Sequence, residues 1–282
     1  MHEVNAMVEG IPIIQVSGKT LPEAWEKSVL ALWKSGIDIK TEYDRENDPP
    51  SKDCTMIMVV EEPFAEPRIH RAIPASLEDL EIYRQEVLNG IHDYMVGSGA
   101  GKWPYTYHER LFDYRINGDS IDQIAYVIDK LSSVSYSRRA QAITWNPKRD
   151  ENVEHPPCLQ RVWCRLSENK DGVSVLNMNL HWRSRDAYKA AFMNIYALTE
   201  LQRFIADEIS KKTGERVLVG RYVDVSDSYH IYGSYFESFE GFLKMTKRRS
   251  FEDRTWTTEF AEPFFRKIRE KLGKEKNQRQ SR

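Results

Sequence analysis

The sequence is short of the residues that would staple it or hold a metal. Only three cysteines occur in 282 residues, Cys54, Cys158 and Cys164. None is spaced as Cys-x-x-Cys and at least one thiol must stay unpaired, so a disulfide framework is excluded and a reducing, cytoplasmic location is expected. The seven histidines include no His-Glu-x-x-His and no paired Cys/His spacing, so no metal site is expected. No apolar run approaches the roughly 20 residues that span a bilayer. Met1 to Gly10 lacks the charged-then-apolar pattern of a secretory signal. Charge of one sign is missing too. The 41 Lys and Arg against 43 Asp and Glu leave a formal charge of −2, so no global field recruits DNA or an anionic membrane. Any bound anion must be held by a local cluster of arginines.

What is present is a globular composition, 40% hydrophobic and 30% charged, without internal repeats or long low-complexity segments. Leu21, Trp25, Val29, Leu32 and Trp33 recur at helical spacing between Leu21 and Gly36. Glu42 to Asp53, with Pro49 and Pro50, reads as a loop, and Thr55 to Val60 as a buried strand. Ser76 caps a helix running to about Met95, with acidic residues in its first turn. Ile121 to Leu131 is a further helix. Ala140 to Trp145, Gln160 to Leu166, Val173 to Leu180 and Val217 to Val225 are strand candidates. The clearest helix is Asp186 to Ser210, whose apolar residues recur at three- and four-residue steps. Residues 271–282 read as a polar tail that frays. Strands and helices without regular alternation predict an α+β single domain over residues 1–270, a mixed sheet packed with helices.

The chemistry concentrates around one thiol. Cys158 follows Pro156 and Pro157, and Arg183-Ser184-Arg185-Asp186 lies downstream. A cysteine attacks as the thiolate, and nearby arginines lower its pKa. Arginine also suits bidentate phosphate contacts. An isolated cysteine would be read as a buried apolar residue. Its neighbours argue otherwise. Ser137-Arg138-Arg139, Trp145-Asn146-Pro147, Pro157-Cys158, Arg183-Ser184-Arg185-Asp186, Asn194 and Asp227 to Tyr232 follow one another in this order.

That succession resembles the thymidylate synthase family, which also contains pyrimidine nucleotide hydroxymethylases. The resemblance covers Thr41 to Tyr235 and is similar in detail to the archaeal branch, because Leu159 follows the cysteine where other members have His. It implies a sheet-mediated homodimer with shared sites. It implies that Cys158 adds to C6 of a pyrimidine nucleoside monophosphate, so that C5 attacks the methylene of 5,10-methylenetetrahydrofolate. Hydride then gives a methyl group, and water a hydroxymethyl group. The resemblance assigns Arg183 and Ser184 to the phosphate, with Arg45 of Asp44-Arg45 as a further candidate. It assigns Arg138 and Arg139 to the phosphate in the neighbouring subunit's site.

By the same resemblance Asn194 reads the base and favours a uridylate over a cytidylate. His230 and Tyr232 hold the ribose from one face of a strand, although Ser228 and Tyr229 separate Asp227 from His230 where the common pattern has one residue. Asp186 contacts the pterin of the folate. Tyr107 aligns with an active-site tyrosine. The proton relay falls to Glu81 or Glu86, with Glu86 taken. The reaction so implied is reductive methylation of dUMP, with a dUMP, dCMP or CMP hydroxymethylase as the alternative. A non-catalytic nucleotide- or RNA-binding relative would be expected to have lost the cysteine, which is present.

Overall fold

A computed structural model describes residues 10–280 of the chain. The reading of Met1 to Gly10 therefore lies almost wholly outside the described residues. In chain order, β1 (Ile13–Gly18), α1 (Leu21–Ser35), β2 (Ile37–Ile39), β3 (Ser51–Val60) and β4 (Ile69–His70) precede α2 (Leu77–Asn89) and α3 (Tyr107–Phe112). The hairpin β5 (Tyr114–Ile116) and β6 (Asp119–Ile121) leads to α4 (Gln123–Ser133), β7 (Gln141–Ile143) and the short α5 (Pro147–Asp150). Then come β8 (Leu159–Glu168), β9 (Ser174–Trp182), β10 (Arg185–Asp186), α6 (Ala191–Thr213) and β11 (Val217–Ile231). The chain closes with α7 (Phe236–Arg248), β12 (Thr255–Trp256) and α8 (Thr258–Gln280).

The main sheet has the order β1-β3-β11-β9-β8-β7, with β2 and β10 pairing β3 and β11 at its margins. It is mixed, with β1/β3 and β9/β11 parallel and β3/β11, β8/β9 and β7/β8 antiparallel. Side chains alternate across each strand. Met56 and Met58 of β3, Val162 and Cys164 of β8, Leu176, Met178 and Leu180 of β9 and Tyr222 of β11 point into one core with α1 and α6. Their alternates, among them Ile57, Trp163, Asn179 and Val223, are only half-buried, and Arg161, Arg165 and Arg221 are exposed. One face of the sheet is thus covered by helices and the other is open.

Several elements differ in extent from the sequence reading. α2 stops at Asn89 because Gly90 takes the left-handed conformation (φ 59°), and a Cβ there would meet the His108 ring at 2.4 Å. α6 starts at Ala191, not Asp186. Residues 185–186 instead pair with β11 as β10. β11 runs on through His230. The expected fraying tail is helical to Gln280. Ala261, Phe265 and Ile268 bury one stripe of α8, and Arg269 reaches Glu81 of α2.

Candidate active site

Leu159 at the start of β8 pairs with Trp182 at the end of β9. Their neighbours Cys158 and Arg183 therefore meet at one end of the hairpin. The Arg183 backbone N–H donates to the Cys158 carbonyl at 3.0 Å. Its guanidinium donates to the carbonyls of Pro157 (Nε, 3.0 Å) and Pro156 (Nη2, 2.8 Å). Nη2 also lies 3.8 Å from Cys158 Sγ. The same arginine thus clamps the diproline loop and faces the sulfur. Burial nevertheless raises the Cys158 thiol above its ordinary value, and Arg183 and Arg185 only partly oppose that rise. This corrects the expectation of a lowered thiol pKa: in a half-buried site, loss of solvent around the thiolate outweighs two cations.

A cavity of about 580 Å³ opens beside Cys158, within the range that takes small ligands. Arg45, Arg183, Ser184 and Tyr232 line it, as the sequence reading grouped them. The sequence reading missed Tyr43, Tyr105, His155, Lys189 and Tyr235, which line it too. The available signal was adjacency: Tyr43 precedes Asp44-Arg45, and Lys189 follows the Asp186 turn. Arg45 is carried by the 41–50 loop. That loop is seated by a close backbone approach, since a Cβ on Gly233 would lie 1.8 Å from the Pro49 carbonyl oxygen.

Behind the thiol stands a layer of phenols. The Tyr107 hydroxyl accepts from the Leu159 N–H at 3.2 Å, and its ring meets Tyr105 at 5.4 Å and Trp182 at 5.9 Å. Burial raises Tyr107 well above its ordinary value and Tyr105 to about 12, so both remain neutral donors. Asn194 on α6 donates to the Tyr83 hydroxyl at 2.6 Å. Tyr83 shares α2 with both candidate glutamates. Glu81 is fully buried and held by Arg84 (2.6 Å), Gln85 (2.8 Å) and Arg269 (3.4 Å). The Glu86 carboxylate pairs with the His92 ring nitrogen at 2.9 Å, and burial raises its pKa. Burial also raises Tyr83, followed by the charge of Glu86.

A sequence profile of the family described as Thymidylate synthase matches residues 77–259. The chain belongs to the thymidylate synthase family. Among curated relatives, a Methanocaldococcus jannaschii protein named "Putative thymidylate synthase" is 30% identical over 218 residues, 76% of this chain and 88% of the relative. One from Methanococcoides burtonii with the same name is 26% identical over 229 residues, 81% of this chain and 94% of the relative. The solved structure of the thermostable thymidylate synthase A of Bacillus subtilis aligns with a TM-score of 0.56 at 17% identity, covering 78% of this chain and 83% of that one. At that identity the likeness concerns the fold.

The remaining residues of the thymidylate synthase pattern fall into three groups. Asp186 sits ahead of α6, where its Oδ1 accepts from the Tyr188 and Lys189 amides at 3.0 and 2.8 Å. Burial pushes its pKa up to about 6, against those two hydrogen bonds. His230 is buried on β11 with its ring 4.6 Å from that of Tyr232. Tyr232 follows the last residue of β11 in extended conformation, so the two rings keep to one side although only His230 lies within the strand. Arg138 and Arg139 are exposed and do not line the cavity. The Arg138 carbonyl accepts from Trp163 Nε1 at 3.1 Å, which places it beside the open sheet face. Among the described residues no cluster of His, Cys, Asp and Glu is placed to hold a metal, and no helix is long and apolar enough to cross a membrane.

Proposed function

We propose that the protein transfers a one-carbon unit to C5 of a pyrimidine nucleoside monophosphate, by reductive methylation of dUMP with 5,10-methylenetetrahydrofolate. The observation that carries this reading is the Cys158 thiol held 3.8 Å from the Arg183 guanidinium in a cavity rimmed by Arg45 and Ser184. Arg45, Ser184 and Nη1 of Arg183 bind the phosphate. Cys158 loses its proton and Sγ adds to C6, moving the C5–C6 π electrons toward C5 and O4. C5 then gains its new carbon bond and loses its proton to a base. Elimination breaks the C–S bond and returns the thiolate.

When bound, the folate supplies the one-carbon unit and the hydride. Asp186 fits a pterin. Its carboxyl is close to Tyr232 and Tyr235, whose phenols are raised first by burial and next by the Asp186 charge. Glu86 is the relay for protons, because Glu81 is fully engaged by two arginines and a glutamine. Asn194, whose amide also donates to the Tyr83 hydroxyl, reads the base. The open sheet face supports a homodimer, in which the exposed Arg138 and Arg139 of each subunit complete the partner's phosphate site.

The test is to incubate the protein with dUMP, dCMP or CMP and methylenetetrahydrofolate, recording product mass and dihydrofolate absorbance. Methylated dUMP with stoichiometric dihydrofolate is expected. A hydroxymethylated product without dihydrofolate would replace the methylase reading. Cys158→Ala should abolish turnover while nucleotide affinity stays within about tenfold, since the thiol bonds only during reaction. Residual exchange of the C5 hydrogen in that variant would remove Cys158 from the mechanism.

A further inference from the structure

The β3/β11 pairing carries one irregularity. Ser226 pairs with Met56 and Tyr229 with Cys54, so three steps on β11 oppose two on β3. The extra residue forms a bulge and reverses side-chain parity. Before it, Tyr222, Asp224 and Ser226 are buried toward the helices. After it, Tyr229 and Ile231 take that place in the core. Ser228 and His230 are thereby turned to the other face, where His230 lies directly opposite Asp53. The bulge also absorbs the additional residue between Asp227 and His230.

Ser228 now stands between two buried titratable groups. Its Oγ lies 2.6 Å from Asp53 Oδ2 and 3.2 Å from His230 Nδ1. His230 Nε2 is buried and, among the described residues, has no hydrogen-bond partner, beside the Tyr232 wall of the cavity. Burial holds the His230 pKa down to about 4, so the ring is neutral near pH 7 and only one nitrogen carries a proton. Asp53, raised to about 6 by burial, is a carboxylate there and can only accept. Ser228 must then donate to Asp53. Its oxygen accepts from Nδ1–H, and Nε2 keeps its lone pair.

We propose that Asp53 and Ser228 are positioning residues that fix His230 as the Nδ1–H tautomer, making Nε2 an acceptor reserved for a hydroxyl of the bound nucleotide. The selectivity is against a ligand lacking that hydroxyl, because the buried Nε2 would then stay unpaired. The ligand half of this inference rests on the nucleotide reading above; the tautomer half does not.

The experiment has two arms at pH 7.5. Ring ¹⁵N shifts and couplings of His230 in the labelled, ligand-free protein report the tautomer. Nδ1–H should dominate in wild type and in Ser228→Thr, which keeps the hydroxyl, and give way to a mixture in Ser228→Ala. A predominantly Nε2–H ring in wild type overturns the relay. In the second arm, dUMP and its 3′-deoxy analogue are titrated calorimetrically. Wild type and Ser228→Thr should prefer dUMP by about tenfold, and Ser228→Ala by less than about threefold. Equal affinity for both ligands in wild type overturns the hydroxyl assignment even with the tautomer as stated. No binding of either ligand overturns the nucleotide reading itself.

Discussion

The arginine beside Cys158 makes a charge argument that can be measured without substrate. Arg183 Nη2 is 3.8 Å from Sγ. At about 4 Å a pair of unit charges is worth ~1 kcal/mol in water and ~4 kcal/mol at an effective dielectric of 20. Arg183 is half-buried, so ~1–2 kcal/mol is a fair discounted value, or about one pKa unit on the thiol. Removing the charge in Arg183→Gln raises a thiol pKa that burial has already raised. The thiolate fraction below the pKa, and with it the alkylation rate, should fall roughly tenfold. Arg183→Lys keeps the charge but loses the fork that clamps both proline carbonyls, so its rate should stay near wild type.

The assay is the second-order rate of iodoacetamide labelling from pH 7 to 10, read by mass spectrometry. Cys54 and Cys164 are fully buried and their thiols are pushed up to about 12, so Cys158 dominates labelling. The wild-type profile should rise with pH along a curve displaced to the alkaline side of a free cysteine, because folding raises this pKa. Superimposable profiles for wild type and Arg183→Gln would refute the charge argument. An equal slowing in Arg183→Lys would assign the effect to the clamp.

Mixed refolding of Arg138→Ala with Cys158→Ala should regain activity through one intact site per heterodimer, and verified heterodimers without activity would remove Arg138 from the partner's site. Asn194→Asp should move the ratio of kcat/KM for dCMP over dUMP at least about tenfold, since a carboxylate must hold its own proton to donate to O4 and a buried mismatch costs ~1–3 kcal/mol; an unchanged ratio means that Asn194 does not read the base. Arg185 and Asp224 form a fully buried pair in which Arg185 also donates to the Ala191 carbonyl at 3.0 Å. Arg185→Met should therefore lower urea stability by ~3–5 kcal/mol, and a loss below ~1 kcal/mol would show that the stranded Asp224 finds another partner.

The core was legible in the sequence wherever period and burial coincide. α1, β8, β9 and the apolar stripe of α6 follow from local spacing, whereas the grouping of Cys158 with Arg183-Ser184 is what the family resemblance implied. Turn chemistry set limits that the apolar pattern did not announce. Gly90 ends α2 through a left-handed residue that a side chain could not occupy beside His108. α8 continues because Phe265 and Ile268 find a distant surface, a gain that a polar local composition conceals. The sequence by itself determined the family pattern, the composition of the core and which thiol has arginines for neighbours. Only the tertiary structure decided that Glu81 is consumed by Arg84 and Arg269 while Glu86 is not. It alone decided that burial outweighs the arginines at Cys158, and that a bulge turns His230 away from the core toward Asp53. Those three outcomes depend on desolvation and on pairing between segments far apart in the chain, and local spacing records neither.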